Sequence, residues 1–152
     1  MAALKRGHTH GFIWTAEAGY ELEEKGEGKI LFNFGEIVTD FQFGIIAARE
    51  AYIQEKPEVV RAFLKGWYET IRWMKEHKDE AVTRIAKQLE VSEAVARKTY
   101  DLDMANFSPD GTPQMKGLQV AAASVVEMGF APRAPEVTEV FDGRFVPVHL
   151  DR

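Results

Sequence analysis

The stretch from Pro57 to His77 constrains the fold of this chain more than any other part of its sequence. Its apolar side chains recur at steps of three and four residues, the pattern of one face of an α-helix, and proline is well tolerated in a first helical turn. The stripe consists of Val60, Phe63, Leu64, Trp67, Ile71 and Met74. We therefore predict a long amphipathic helix with this stripe in the core, and we interpret Trp67 and Trp73 as packing residues, not as a cofactor site.

Helix signals also flank this stretch on both sides. N-cap residues, glycine stops and three- to four-residue apolar steps mark these segments. The additional predicted helices are Ala2–Arg6, Ala16–Lys25, Lys78–Leu89, a helix that Ser92 caps, and a helix that Thr112 and Pro113 open and Gly129 ends. Most of the chain is therefore predicted to be helical, with a turn at "SPDG" from Ser108 to Gly111.

Three short apolar segments near the N-terminus are instead typical of β-strands. Gly11–Thr15 is an apolar run bounded by glycine, Gly28–Phe34 has one thoroughly apolar face, and Asp40–Ala48 is another strand-like run. Asp142-Gly143 signals a hairpin turn further along. The resulting order predicts a helix-rich α/β fold with too few strands for a complete doubly wound sheet. Because the opening "MAALKR" also reads as the tail of a helix, we expect the chain to be part of a larger fold.

Composition excludes several classes of function. The 152 residues contain no cysteine, which excludes disulfides, thiolate catalysis and cysteine zinc sites. The formal net charge is −5, and Lys and Arg are scattered among acidic residues, which argues against a nucleic-acid partner. No apolar run approaches the roughly 20 residues of a membrane span. The N-terminus also lacks the apolar core of a signal peptide.

Three segments, in this order, resemble the C-terminal half of the periplasmic solute-binding proteins of ABC importers. They are "ALKRG" before a short strand ending in Trp14, then "FQFGIIAAREAYIQEKPEVVRAFLKGWYETIRWM", then "FSPDGTPQMKGLQVAA". The resemblance spans nearly the whole chain. It is closest to the nitrate, sulfonate and taurine group, which shares its fold with the thiamine-pyrimidine-precursor family. The sequence departs from that group after Trp14, where "WTAEA" stands in place of a proline that many members carry.

The resemblance implies part of a two-lobed, type II periplasmic-binding-protein fold. Residues 1–40 would belong to the second lobe, and residues 41–152 would supply the crossing strand and a helical part that returns to the first lobe. The implied function is not enzymatic and uses no cofactor. It is the capture of a sulfonate, nitrate, taurine-like or pyrimidine-like molecule in an interlobe cleft, with an ABC permease as partner of the full-length protein. That parent would lie in the periplasm or another extracytoplasmic space.

Trp14, Thr15 and Glu17 form the first candidate ligand-binding patch, where a predicted strand gives way to a helix. In open α/β sheets, ligands bind outside the carboxyl ends of strands and beside helix N-termini, where free N–H groups favour anions. Thr15 would donate a hydroxyl and Trp14 would stack on the ligand, whereas Glu17 would repel an anion or recognise an amine. The alternative is purely structural, with Trp14 in the core and Thr15 as an N-cap.

Thr39, Asp40, Phe41 and Gln42 form the second candidate patch. The resemblance implies that this segment lines the cleft at the hinge, with Asp40 facing a ligand amine and Phe41 packing on an apolar part. The alternative is a surface loop with Phe41 tucked inward.

The sequence carries no recognisable catalytic or metal-binding motif. His8 and His10 point the same way on an extended chain, but a metal site needs at least one further ligand. We therefore predict no metal and no catalytic residue. Two other functions stay open: an enzyme of the related thiamine-precursor type, and an interaction module in which an uncovered sheet edge leads the chain to form homo-oligomers.

Overall fold

The computed structural model describes residues 1–42 and 44–150 of the chain. Phe43, part of the predicted strand Asp40–Ala48, lies outside the described residues. The α-helices are α1 (Ala2–Lys5), α2 (Ala16–Glu24), α3 (Phe34–Ile37), α4 (Glu50–Glu55), α5 (Pro57–Glu76), α6 (Lys78–Leu89), α7 (Glu93–Asn106), α8 (Met115–Glu127) and α9 (Val137–Val140). In the part of the chain so described, none of these helices is long and apolar enough to cross a membrane.

Glycine ends the helices where the sequence predicted it. At the end of α2, Gly26 has φ of 66° and donates its N–H to the Glu23 carbonyl over 3.1 Å, while Glu27 N–H reaches the Leu22 carbonyl over 2.9 Å. This is the Schellman arrangement, which needs a left-handed residue and so favours glycine. Gly129 closes α8 with the same pair of hydrogen bonds. The predicted helix ends at Gly26 and Gly129 are confirmed. They could be predicted from the sequence because a helix end depends on neighbours within one helical turn.

The predicted strands are wrong. Gly11–Thr15, Gly28–Phe34 and Asp40–Ala48 form no strand within residues 1–42 and 44–150. A strand needs a neighbour that accepts and donates its backbone hydrogen bonds, and here Ile30 N–H is satisfied by the Glu23 carboxylate instead, over 2.9 Å. The helix-rich part of the predicted fold is confirmed. The sheet of a type II binding-protein fold stays a prediction.

Two local predictions in the second half of the chain also need correction. Asp142-Gly143 forms no hairpin: Asp142 accepts the Arg144 N–H over 3.1 Å and caps a 3₁₀ helix, Gly143–Phe145. Helix α8 begins at Met115 with Gln114 as its N-cap, later than predicted. Thr112 is held outside the helix because Asp110 accepts its N–H over 2.9 Å, as part of the preceding turn.

The chain divides into two compact units. The first comprises Met1–Glu36 and Met74–Phe107, and the second comprises Ile37–Trp73 and Ser108–Arg152. The predicted lobe boundary between residues 40 and 41 refers to a larger protein and stays a prediction.

The core of the first unit lies between α2, α6 and α7. Its buried residues are Ala18, Leu22, Ala81, Val82, Ala86, Val95, Ala96, Thr99 and Tyr100. Helices α2 and α7 run antiparallel, since Glu24 accepts a hydrogen bond from the Ser92 hydroxyl over 2.6 Å and Tyr20 lies under the Lys98 ammonium. This pairing positions the start of α2 beside the end of α7.

The core of the second unit is smaller and corrects the predicted stripe of α5. Leu64, Tyr68 and Ile71 are buried together with Phe145. Phe63 and Trp67 were predicted to lie in the core but are 56% and 41% exposed. Their rings stack on each other on the outside of the helix, with centroids 6.2 Å apart. The predicted helical spacing of the apolar residues is confirmed, but Tyr68 lies on the buried face of α5 in place of Phe63 and Trp67.

Candidate functional site

The start of α2 carries a short hydrogen bond between two predicted ligand residues. Thr15 is the N-cap residue of α2 with an extended backbone, as the structural alternative expected, but its side chain makes no capping bond. Its hydroxyl instead donates to the Glu17 carboxylate over 2.6 Å. The donor that the sequence offered to an anionic ligand is therefore already engaged by a carboxylate. The negative charge at this helix start suits a ligand that brings its own N–H donors.

Trp14 is 73% exposed, so the alternative that places it in the core is wrong. Its ring borders an apolar hollow of about 440 Å³, a size typical of small-molecule sites. The hollow is lined by Met1, Ala3, Leu4, Thr9, Phe12, Ile13 and Trp14. The Thr9 hydroxyl already donates to the Gly11 carbonyl over 2.8 Å. Because most of the lining side chains are apolar, the hollow suits the apolar part of a ligand.

Asp103, near the end of α7, is a charged neighbour that the sequence did not reveal. Partial desolvation of its carboxyl group, and then the negative charge of Glu17, raise the pKa of Asp103. Negative charge from both residues at the start of α2 favours a cation there. The signal was absent from the sequence because residues 17 and 103 meet only through the packing of α2 on α7.

The second patch lies against the first turn of α8. An Asp40 carboxylate oxygen lies 2.5 Å from the Lys116 ammonium. Gln42 donates its backbone N–H to the Gly117 carbonyl over 3.3 Å, and its side-chain amide donates to the Gly44 carbonyl over 2.8 Å. Two of the four predicted residues are thus tied to α8 or to their own loop.

The absence of a side chain at Gly117 permits the close approach of the Gln42 backbone to α8. Gly117 is buried, and an added Cβ would lie 3.0 Å from the Gln42 nitrogen and 3.3 Å from the Phe41 carbonyl carbon. Thr39 is exposed, and Phe41 is 41% exposed, so the alternative with Phe41 tucked inward is wrong. The patch presents one aromatic ring and one carboxylate to solvent. Lys116 and Gly117 were missed as site residues because they lie far along the chain from Asp40.

The two histidines lie at the surface near the end of α1. His8 and His10 are exposed, and the His8 N–H donates to the Ala3 carbonyl over 2.8 Å at the end of α1. Within the described residues, no group of three or more His, Asp or Glu side chains is placed to hold a metal ion.

Each patch lies within one compact unit, the first in Met1–Glu36 and the second in Ile37–Trp73.

A family model described as NMT1/THI5 like matches residues 1–81, more than half of the 152 residues, and this range contains all seven predicted ligand residues. Comparisons with curated proteins and with solved structures found no match. The family match rests on most of the segments that carried the resemblance to solute-binding proteins, and the chain belongs to the NMT1/THI5-like family.

Proposed function

We propose that this chain is the ligand-binding part of an ABC-importer solute-binding protein that captures a small molecule without changing it. The observation that carries the proposal is the family match, because it covers both candidate patches. The exposed rings of Trp14 and Phe41 support it further, since aromatic side chains beside carboxylates are typical linings of small-molecule sites.

In the first patch, the ligand would contact Trp14, Thr15 and Glu17. The indole ring would cover an apolar or aromatic part of the ligand, and the Thr15–Glu17 pair would accept its N–H groups. Asp103 adds negative charge near Glu17. Like charges close together cost free energy even in a solvated site, so these carboxylates favour an amine or an amino-substituted ring over nitrate.

In the second patch, the ligand would contact Thr39, Asp40, Phe41 and Gln42. Phe41 would pack on an apolar surface, and Asp40 would accept hydrogen bonds from ligand N–H groups. The pyrimidine-like and taurine-like members of the predicted ligand set carry such groups, whereas a simple sulfonate does not. We therefore rank ligands with N–H groups first.

The mechanism would be capture by domain closure. A ligand that contacts both lobes of a two-lobed binding protein stabilises the closed form, because only that form makes both sets of contacts. The closed complex would then dock on a membrane permease. This step would take place in the periplasm or another extracytoplasmic space, where such proteins meet their solutes.

A ligand screen tests the proposal directly. Purified protein is mixed separately with taurine, methanesulfonate, nitrate, small amines and 4-aminopyrimidine, and thermal unfolding is followed by calorimetry. A bound ligand raises the unfolding temperature with increasing concentration, and we expect a compound with N–H groups to give the largest rise. The bound compound should be recovered unchanged after the complex is denatured. Recovery of a chemically altered compound would contradict a pure binding function.

An enzyme of the thiamine-pyrimidine-precursor type is the second candidate. The description of the matched family includes THI5, and His8 and His10 are exposed two residues apart. Zinc and nickel titrations by calorimetry separate the two functions. We expect weak or no binding, and tight one-to-one binding that is lost in His8→Ala would favour the enzyme.

A further inference from the structure

The ion pair between Asp40 and Lys116 joins a predicted ligand residue to a helix 76 residues further along the chain. The carboxylate oxygen Oδ2 lies 2.5 Å from Nζ, and the Lys116 side chain is 73% exposed. Lys116 stands in the first turn of α8, outside the range of the family match.

A backbone hydrogen bond joins the two segments that carry the pair. The hydrogen bond from Gln42 N–H to the Gly117 carbonyl lies two residues after Asp40 and one residue after Lys116. Gly117 is buried under this contact. Bringing two exposed charged side chains into one geometry costs conformational entropy. The backbone hydrogen bond reduces that cost, because it already brings the two segments together. The backbone contact therefore keeps Lys116 within reach of Asp40.

The positive charge on Lys116 affects which ligand groups can bind the Asp40 carboxylate. A carboxylate has two oxygens and about four acceptor positions, and the Lys116 contact uses Oδ2. A neutral N–H donor can bind the other oxygen without disturbing the pair. A cation must either approach the Lys116 ammonium or displace it, and both cost free energy.

We propose that Lys116 is the resident counter-ion of Asp40 and sets the charge selectivity of the second patch, disfavouring cationic ligands relative to neutral N–H donors. The inference rests on the proposed function, because it assumes that Asp40 contacts the ligand. It names Lys116 as a specificity-determining residue. Exposed charge pairs are weak, so the effect on affinity is at most about fivefold.

Benzamidinium and benzamide are suitable probes, because they have nearly the same shape and a ring for Phe41, but only the first is cationic at neutral pH. Each is titrated into the full chain while the backbone amide signals of Asp40, Phe41 and Gln42 are followed by NMR. We expect Lys116→Gln to raise the affinity for benzamidinium about threefold to fivefold and to leave that for benzamide nearly unchanged. Lys116→Arg should restore the wild-type ratio.

Control variants separate selectivity from general effects. Lys87→Gln removes the same charge from the exposed side of α6 and should change neither affinity. Adding Asp40→Asn to Lys116→Gln should abolish the gain for benzamidinium. A structural role for Lys116 would instead weaken both probes together, because the segment would loosen from α8.

Two results would overturn the inference in different ways. If both probes shift the amides of residues 40–42 and their affinity ratio is the same in Lys116→Gln, the counter-ion role fails and the proposed function stands. If neither probe shifts these amides, while a compound from the ligand screen binds the protein elsewhere, the placement of the ligand at Asp40 fails and the inference fails with it.

Discussion

The Tyr100 hydroxyl donates a hydrogen bond to the Met74 carbonyl over 2.8 Å. This bond connects α7 to the last turn of α5, where helical carbonyls lack partners within their own helix. Tyr100 is 5% exposed, so water does not readily replace the lost donor.

We predict that Tyr100→Phe destabilises the protein by about 1 kcal/mol, the usual net contribution of such a hydrogen bond. The measurement is the free energy of unfolding in urea. Tyr20→Phe is a matched control, since Tyr20 sits under Lys98 through its ring and that contact survives in phenylalanine. Equal losses in both variants would contradict a specific role for the Tyr100 hydroxyl.

Gly117 and Gly66 offer a second test, because both are helical glycines with different surroundings. An added Cβ at Gly66 would meet no atom within 4 Å, whereas one at Gly117 would crowd the Gln42 nitrogen at 3.0 Å. Alanine is favoured over glycine inside a helix by about 0.5–1 kcal/mol. We therefore expect Gly66→Ala to raise the free energy of unfolding by that amount.

Gly117→Ala should give no such gain, because the segment from Asp40 to Gln42 must move away from α8. The amide signal of Gln42 in NMR spectra should shift in Gly117→Ala and stay in place in Gly66→Ala. A gain in stability at Gly117 with an unchanged Gln42 signal would show that the contact does not hold the segment.

The raised pKa of Asp103 predicts a pH-dependent stability. Partial desolvation of the carboxyl group, and then the negative charge of Glu17, disfavour the charged form of Asp103 in the folded protein. The stabilising effect of protonation is therefore complete below the ordinary pKa of 3.8 and is lost as pH rises through the raised value. Asp103→Asn, which stays neutral, should raise the unfolding temperature at pH 7 but not below pH 3.8.

The neighbouring Asp101 supplies the control for this experiment. Its carboxylate lies 2.6 Å from the Lys78 ammonium, so Asp101→Asn removes an attractive contact. We expect no rise in unfolding temperature for Asp101→Asn at neutral pH. A similar rise in both variants would point to the overall net charge instead of to Glu17.

The sequence predicted those parts of the fold that depend on near neighbours. Helix α6 has the predicted bounds, Lys78–Leu89, and Ser92 accepts the Val95 N–H over 3.2 Å as the N-cap of α7. Such signals depend on residues within one or two turns. The strands failed for the opposite reason, because Gly28–Phe34 has the right apolar pattern but a strand also needs a partner elsewhere in the chain.

The candidate site shows the same division between local and distant information. Thr15 occupies the N-cap position that the structural alternative gave it, and the rings of Trp14 and Phe41 are exposed. Lys116 and Asp103 were not predicted as site residues. Each reaches its partner through tertiary contacts between segments that are distant in the chain, and no sequence spacing encodes those contacts.

Exposed apolar side chains predict self-association. Leu31 and Ile45 are 85% and 74% exposed, and within the described residues both lie in segments that form neither helix nor strand. Such segments present free backbone groups and apolar surface to a second copy of the chain. We expect dimers or larger species by light scattering at micromolar concentration, and Leu31→Lys should shift the distribution towards the 17.2 kDa monomer.

The control for this experiment is Leu89→Lys, at the end of α6, where the backbone is helical and the side chain is 46% exposed. It adds the same charge and should leave the distribution unchanged. A stable monomer for the wild-type chain would contradict the prediction.

The exposed ring of Trp14 leads to the prediction that tests the ligand site itself. With the compound that binds best in the thermal screen, Trp14→Ala should weaken binding about tenfold, since a stacked aromatic pair contributes up to about 1.5 kcal/mol and 1.4 kcal/mol is tenfold in affinity. Asp40→Asn should also weaken the binding of a compound with N–H groups, because the amide accepts N–H groups less strongly than the carboxylate. Affinities are measured by calorimetric titration, and circular dichroism checks that the variants stay folded. Phe130→Ala and Glu127→Gln serve as controls of similar chemistry near the other end of α8, and both should bind as the wild type does. Tight binding that neither Trp14→Ala nor Asp40→Asn alters would place the ligand away from both patches.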